Sequence, residues 1–295
     1  MSIRWVKRNE IDEAKWNACV ASRPETASVC AKLWYLDACC EHWDALVEDD
    51  YRAVMPLFRR KKFGIPYLYP PFFVAQLGVL GLPLRPMEKW LHAIPGRFLR
   101  ADLLFNACND LSFVPERHRI THHTCLLPLN RPYADLRQAY SHNHCRNLKK
   151  AESAGLRILR DADTESVIRL FRNTRGRQQN VGYAAGDYRR LENLIRCLRE
   201  RKALEVWSVE TPDGQLCAAA FFPTDGHRHT FLFSGRNAES DTNRAMFFLM
   251  DQFIQAHAGE NALLDFNGSN NEAVAKFYLG FGAQKQAFAQ VRLRW

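Results

Sequence analysis

Apolar positions alternate or run together over residues 2 to 8, 43 to 48 and 51 to 59, as they do in strands, and the turn residues Asp49-Asp50 join the last two into an expected hairpin. Helices are expected between these strands, near 10 to 20 and 29 to 41. Residues 66 to 80 mix aromatics (Tyr67, Tyr69, Phe72, Phe73) with prolines, which exclude a helix and oppose a long central strand. A helix near 86 to 93 and strands near 98 to 105 and 118 to 129 complete a first α/β half. A single long helix is then predicted from 133 to about 154. Its inner stripe is broken (Tyr133, Leu136, Tyr140, Leu148, Ala151), and Gly155 ends it.

The second half is clearer. Val167, Ile168, Leu170 and Phe171 form one helix face, and Leu191, Leu194, Ile195 and Leu198 another at i, i+3, i+4, i+7. Strands are expected at 204 to 210 and 215 to 222 around the Pro212-Asp213-Gly214 turn, with a third at 230 to 233 after Asp225-Gly226. A helix over 242 to 257, a strand at 263 to 266, a helix at 272 to 279 and a strand at 285 to 294 close the chain. The pattern predicts two domains, residues 1 to 132 and 133 to 295, with 133 to 155 as a linking helix.

The chain has 295 residues, 47% of them hydrophobic, enough for a core in each half. The formal net charge of +9 is uneven, because residues 131 to 202 hold 17 Lys+Arg against 8 Asp+Glu while the remainder holds 24 against 24. Such a segment concentrates anionic ligands such as phosphates, nucleotides or RNA, although a solvated helix face would show the same pattern. Nine scattered cysteines fit neither a disulfide framework nor a zinc knuckle and point to reduced thiols. There is no signal-peptide pattern and no apolar run long enough to cross a bilayer, so a cytoplasmic protein without membrane insertion is expected. The histidines, among them His227, His229 and His142-x-His144-Cys145, lack the paired spacing of a zinc site, and no metal is expected.

Two stretches carry a family resemblance. Asn270-Asn271, Phe277-Tyr278 and Gly280-Phe281 resemble the closing segment of GNAT acyltransferase domains. Tyr140 to Gly155 (YSHNHCRNLKKAESAG) and Leu264 to Ser269 are similar to the FemAB-like branch, whose members use two GNAT-like domains to add amino acids from aminoacyl-tRNA to peptidoglycan precursors. The resemblance implies an α/β (α+β) fold of tandem GNAT-like domains, each a mixed twisted sheet flanked by helices. It implies a cytoplasmic transferase, an N-acyltransferase (N-acetyltransferase) or aminoacyltransferase. Its partners would be an anionic acyl donor, either acetyl-CoA (or another acyl-CoA) or aminoacyl-tRNA, and an amine acceptor. The alternative is a non-catalytic GNAT-derived module binding RNA or a nucleotide-sugar through residues 131 to 202.

In GNAT domains a strand amide holds the donor carbonyl, and the next helix N-terminus receives the coenzyme A pyrophosphate. Here the corresponding loop after Gly235 has no further glycine and carries Glu239 and Asp241, which repel phosphate. An ordinary helix start capped by Asp241 or Thr242 reads equally well. Arg236 and Arg244 remain as phosphate ligands. Arg146, Lys149 and Lys150 on the 133 to 154 helix, beside His142, are a substitute anion face, extended by Arg169, Arg172, Arg175 and Arg177 into the polar stretch 178 to 183. Tyr278 matches the GNAT tyrosine that protonates the departing group, and packing is its plainer role. Asp265 is a candidate base or a turn cap. Asn267 shares its strand face, and Ser269 and Asn271 complete the candidate donor-binding set.

Overall fold

In this computed structural model the chain is described over residues 2–74, 76–173, 185–268 and 270–294. It forms two compact units, Met1–His123 with Gln286–Trp295, and Thr124–Lys285.

The first unit contains β1 (Ile3–Lys7), α1 (Glu13–Ala21), α2 (Leu33–Cys39), β2 (Trp43–Glu48), β3 (Ala53–Lys62), β4 (Ile65–Leu68), β5 (Leu80–Gly81), α3 (Met87–His92) and β6 (Arg100–Leu104). The β2–β3 hairpin forms as its alternation predicts, with Asp49 and Tyr51 at positive φ in the turn. The proline-rich stretch supplies only the short β4 and β5. The core of the unit gathers Leu46, Met55, Leu57, Trp90, Phe98 and Phe105.

The second unit begins within β7 (Arg119–Pro128) and continues through α4 (Tyr133–Gln138), α5 (His142–Glu152), β8 (Arg157–Arg160), α6 (Thr164–Asn173), α7 (Ala185–Glu200), β9 (Leu204–Glu210), β10 (Leu216–Pro223), β11 (Arg228–Thr230), β12 (Phe233–Arg236), α8 (Ala238–Asn243), α9 (Ala245–Ala256), β13 (Leu263–Asp265) and α10 (Glu272–Leu279). The final strand, β14 (Gln284–Arg294), leaves this unit and pairs antiparallel with β6 of the first. The sequence pattern alone places it with the second half.

Within the second unit the strands run β12-β10-β9-β8 in one sheet and β7-β13-β11 in another. A core of Trp207, Phe222, Leu249, Phe253, Leu264, Phe266 and Phe281 lies among them.

Three expected elements differ. The single helix over 133 to 154 is two helices, broken at Ala139–Ser141, because Ser141 is the N-cap of α5 and its hydroxyl accepts from the His144 amide. The expected strand at 230 to 233 is two short strands in different sheets. The helix expected over 242 to 257 is preceded by α8, capped by Asn237 rather than Asp241 or Thr242, and α9 begins only after Arg244 has taken a left-handed φ of 66°. None of the nine cysteines, all among the described residues, is in a disulfide. Among the described residues no helix is long and apolar enough to cross a membrane.

Candidate functional site

β11 and β13 start as parallel neighbours in the register Arg228↔Leu263, His229↔Leu264 and Thr230↔Asp265. One further bond joins the Phe231 amide to the Asp265 carbonyl at 2.8 Å. The Leu232 amide then donates to Phe221 of β10 instead, at 3.1 Å, and β12 continues as the edge strand of the other sheet. On the other arm the Phe266 amide turns to the Cys125 carbonyl at 3.0 Å, and Asn267 and Gly268 adopt positive φ (47° and 91°). The two strands therefore part after Phe231 and Asp265. Alternate N–H and C=O groups of β12 project away from β10, toward the side the parting opens.

Tyr278 sits at this fork. Its ring stacks on Phe266 with centroids 4.5 Å apart and meets Phe231 edge-on at 6.0 Å. The residue is only 7% exposed, so the fork is lined by three aromatic rings rather than by water. The tyrosine is carried by α10, whose first turn is held by Asn271: its side-chain oxygen accepts from the Ala273 and Val274 amides at 3.0 and 3.2 Å. Asn271 is thus occupied as an N-cap. Ser269 lies outside the described residues, as do Arg175, Arg177 and residues 178 to 183.

Asp265 is buried, and its carboxylate is fully engaged. One oxygen accepts from the Thr124 hydroxyl at 2.7 Å and the Asn267 amide at 3.0 Å, and the other pairs with Arg228 at 3.0 Å. Thr124, Arg228 and Asp265 come from β7, β11 and β13, so this buried group locks three strands in register and fixes the bend at Asn267. A carboxylate holding three donors fixes the geometry of the fork.

A residue overlooked among the basic ones occupies the other side of α10. His144 is 3% exposed, and its ring packs against Phe247, Phe277 and Phe281. Its Nε2 lies 2.8 Å from the Phe277 carbonyl, which can only accept, so Nε2 carries the proton and Nδ1 receives the Ser141 hydroxyl at 2.9 Å. Burial lowers its pKa, which keeps the imidazole neutral. The Ser141 amide also donates to the Gly280 carbonyl at 2.9 Å. The start of α5 is therefore bolted to the end of α10, directly behind Phe277-Tyr278. Two residues apart on a helix, His142 and His144 point to nearly opposite sides, and this could have separated them in the sequence.

Beyond this bolt the basic residues of α5 remain outside. Arg146, Lys149 and Lys150 are exposed, and Arg146 touches only Asn143, at 3.1 Å, among the contacts described. On α6, Arg169 bonds Ser166, while Arg172 lies over the Tyr188 ring and pairs with Glu192. At the loop expected to receive phosphate, Arg236 is paired with Asp241 at 3.1 Å and Arg244 donates to the Asp241 carbonyl. The Asn243 side chain accepts from the Ala245 amide at 3.0 Å, so the first amide of α9 is already capped. A pyrophosphate here would have to displace protein contacts, in keeping with the acidic, glycine-poor loop.

Residues 139–273 match the family model described as acetyltransferase (GNAT) domain. Among solved structures, FemX aligns with a TM-score of 0.68 at 13% identity, covering 98% of this chain and 97% of that one. The C-terminal domain (DUF2156) of a putative lysylphosphatidylglycerol synthetase from Agrobacterium fabrum aligns at 0.55 and 11% identity, over 94% of this chain and 90% of that one. N-myristoyltransferase of Saccharomyces cerevisiae, solved with bound myristoyl-CoA, aligns at 0.51 and 12% identity, over 99% of this chain and 79% of that one. At such identities these likenesses show a shared fold. No curated protein matches the chain.

Proposed function

We propose that this chain, an α/β protein carrying a GNAT domain over residues 139–273, transfers an acyl or aminoacyl group from a thioester or ester donor to an amine. The observation that carries the reading is the parting of β11 from β13 after three paired residues, with β12 presented as an edge and Tyr278 at the fork. Amide groups fixed along an edge strand can hold a carbonyl and stabilise the oxyanion that develops as the amine attacks. The Tyr278 phenol is the group suited to protonate the departing thiolate or ribose alkoxide, since it is neutral at pH 7 and can donate. Asp265, with Arg228 and Thr124, holds the fork in shape.

The donor is the finer question. The capped, acidic start of α8 and α9 disfavours the usual diphosphate grip, whereas the exposed Arg146, Lys149 and Lys150 offer cations to the phosphates of a tRNA acceptor end or of coenzyme A. Calorimetry with acetyl-CoA and with aminoacyl-tRNA tests this directly, followed by transfer to a panel of amines. The expected result is saturable binding of one donor, weakened several-fold by Arg146→Ala with Lys150→Ala. Absence of binding by both donors removes the transferase reading.

A second reading keeps the fold without the reaction. The full engagement of Asp265 and the burial of Tyr278 favour a module that binds RNA or a nucleotide-sugar through the basic 131 to 202 segment. Steeply salt-dependent RNA binding with no acyl turnover would select it.

A further inference from the structure

The second unit holds a ring of alternating imidazoles and carboxylates that the transfer reaction does not use. Glu205 lies at the start of β9, His229 in the middle of β11, His257 at the end of α9, and Glu260 three residues later. Glu205 stands between the two histidines, with its oxygens 3.4 Å from Nδ1 of His229 and 3.1 Å from Nε2 of His257. Glu260 faces the other nitrogen of each ring, Nε2 of His229 at 3.4 Å and Nδ1 of His257 at 3.1 Å. The imidazole centroids are 4.3 Å apart. One donor atom each from Glu205, His229 and His257 falls within a 4.8 Å span.

We propose that Glu205, His229 and His257 bind a divalent transition metal ion of the zinc class, with Glu260 orienting the histidines from behind. Two imidazoles and one carboxylate are a zinc-type donor set, and a tetrahedron with bonds of about 2.0–2.1 Å has edges of about 3.3–3.4 Å, close to the 3.4 and 3.1 Å that separate the two Glu205 oxygens from the ring nitrogens. The independent observation is His229. It is 3% exposed, and its two ring nitrogens face the Glu205 and Glu260 carboxylates at 3.4 Å without hydrogen-bond geometry. A neutral imidazole must carry one N–H, and burying polar ring atoms without a partner is unfavourable. A metal on one nitrogen and the Glu260 carboxylate on the other would satisfy both, in the carboxylate–histidine–metal arrangement that fixes the tautomer. The Trp207 indole N–H, 3.0 Å from a Glu205 oxygen, orients that ligand in the same way.

The ligands are dispersed in sequence, at 205, 229 and 257, so no short spacing motif announces them. They come from both sheets of the unit and from the intervening helix, and His229 lies two residues before the fork at Phe231. The ion would be a structural clip between the two sheets, beside that fork.

The test is a titration of the full, tag-free chain, stripped with chelator, using Co2+ and then Zn2+. The expected result is one saturable Co2+ site per chain with the absorption of four-coordinate cobalt, displaced by Zn2+, and a higher Tm with Zn2+. Glu205→Gln or His257→Gln should weaken binding at least about tenfold, Glu260→Gln by about 10–100-fold, and His92→Gln, an exposed histidine, not at all. Folded wild-type protein that shows no saturable binding at micromolar metal overturns the proposal. So does equal binding by folded Glu205→Gln and His257→Gln, which would leave the cluster an ion-pair network.

Discussion

Replacing Gly280 with alanine tests the bolt between α5 and α10. Gly280 has ordinary helical torsions (φ −66°, ψ −15°), and at such a position exchanging glycine for alanine normally stabilises by about 0.4–1 kcal/mol through the unfolded chain. Here the added Cβ would overlap Cε1, Nδ1 and Nε2 of His144. That ring is wedged among Phe247, Phe277 and Phe281 and has no open space to retreat into. Overpacking of this kind costs about 1–3 kcal/mol. Displacing the ring also breaks its hydrogen bond to the Phe277 carbonyl, adding about 1–3 kcal/mol if that carbonyl stays buried. The expected net is a loss of roughly 2–5 kcal/mol after the small backbone gain. It can be read as faster hydrogen exchange in peptides covering 142–152 and 272–281. In Gly280→Ala/His144→Ala the new methyl enters the space the ring left, so the double variant should be more stable than the sum of the singles by more than about 1 kcal/mol. A neutral or stabilised Gly280→Ala, or strict additivity, would refute the packing argument.

Other outcomes follow from the same contacts. Because burial lowers the pKa of His144, its contribution is present above the unfolded value and lost as pH falls. The stability difference between wild type and His144→Gln should therefore shrink from pH 7 toward 5 in urea titrations. Asp265→Ala removes the carboxylate that pairs with Arg228 and holds the Thr124 hydroxyl and the Asn267 amide, and should cost about 3–5 kcal/mol. Asp265→Asn should be milder, and if Asp265 positions rather than accepts protons, the pH profile of transfer by that variant keeps its shape. In Gly235→Ala the methyl would lie 2.7 Å from the backbone nitrogen of Phe171, pushing α6 from β12 and lowering Tm by the equivalent of about 1–3 kcal/mol.

What was legible in the sequence, and what was not, has physical causes. The hairpin at Asp49-Asp50 and the turn at Pro212-Asp213-Gly214 are local, and turn chemistry with alternation specifies them. The last helix is legible because its inward residues repeat at helical spacing and Asn271 caps it. The fork is different: the run Thr230-Phe231-Leu232-Phe233 is apolar on either side of the break, and only the neighbouring strands decide where the chain changes partners. Ser141 carries a cap signal, but the broken apolar stripe over 133 to 154 reads through it as one helix. Asp265 could be placed at a strand end, but its partners Thr124 and Arg228 lie 141 and 37 residues away and leave no local trace. The destination of β14 is likewise a tertiary choice, since its alternation does not say which strands it joins.

The measurement closest to the central claim is a single-turnover comparison of wild type with Tyr278→Phe, using whichever donor calorimetry identifies. The phenylalanine keeps the ring stacked on Phe266 and removes only the phenolic hydroxyl. Transfer should slow about 10²–10⁴-fold while donor affinity stays within a factor of two or so, as expected for a lost proton donor. Undiminished transfer by Tyr278→Phe would show that the hydroxyl takes no part and that this tyrosine only packs the fork.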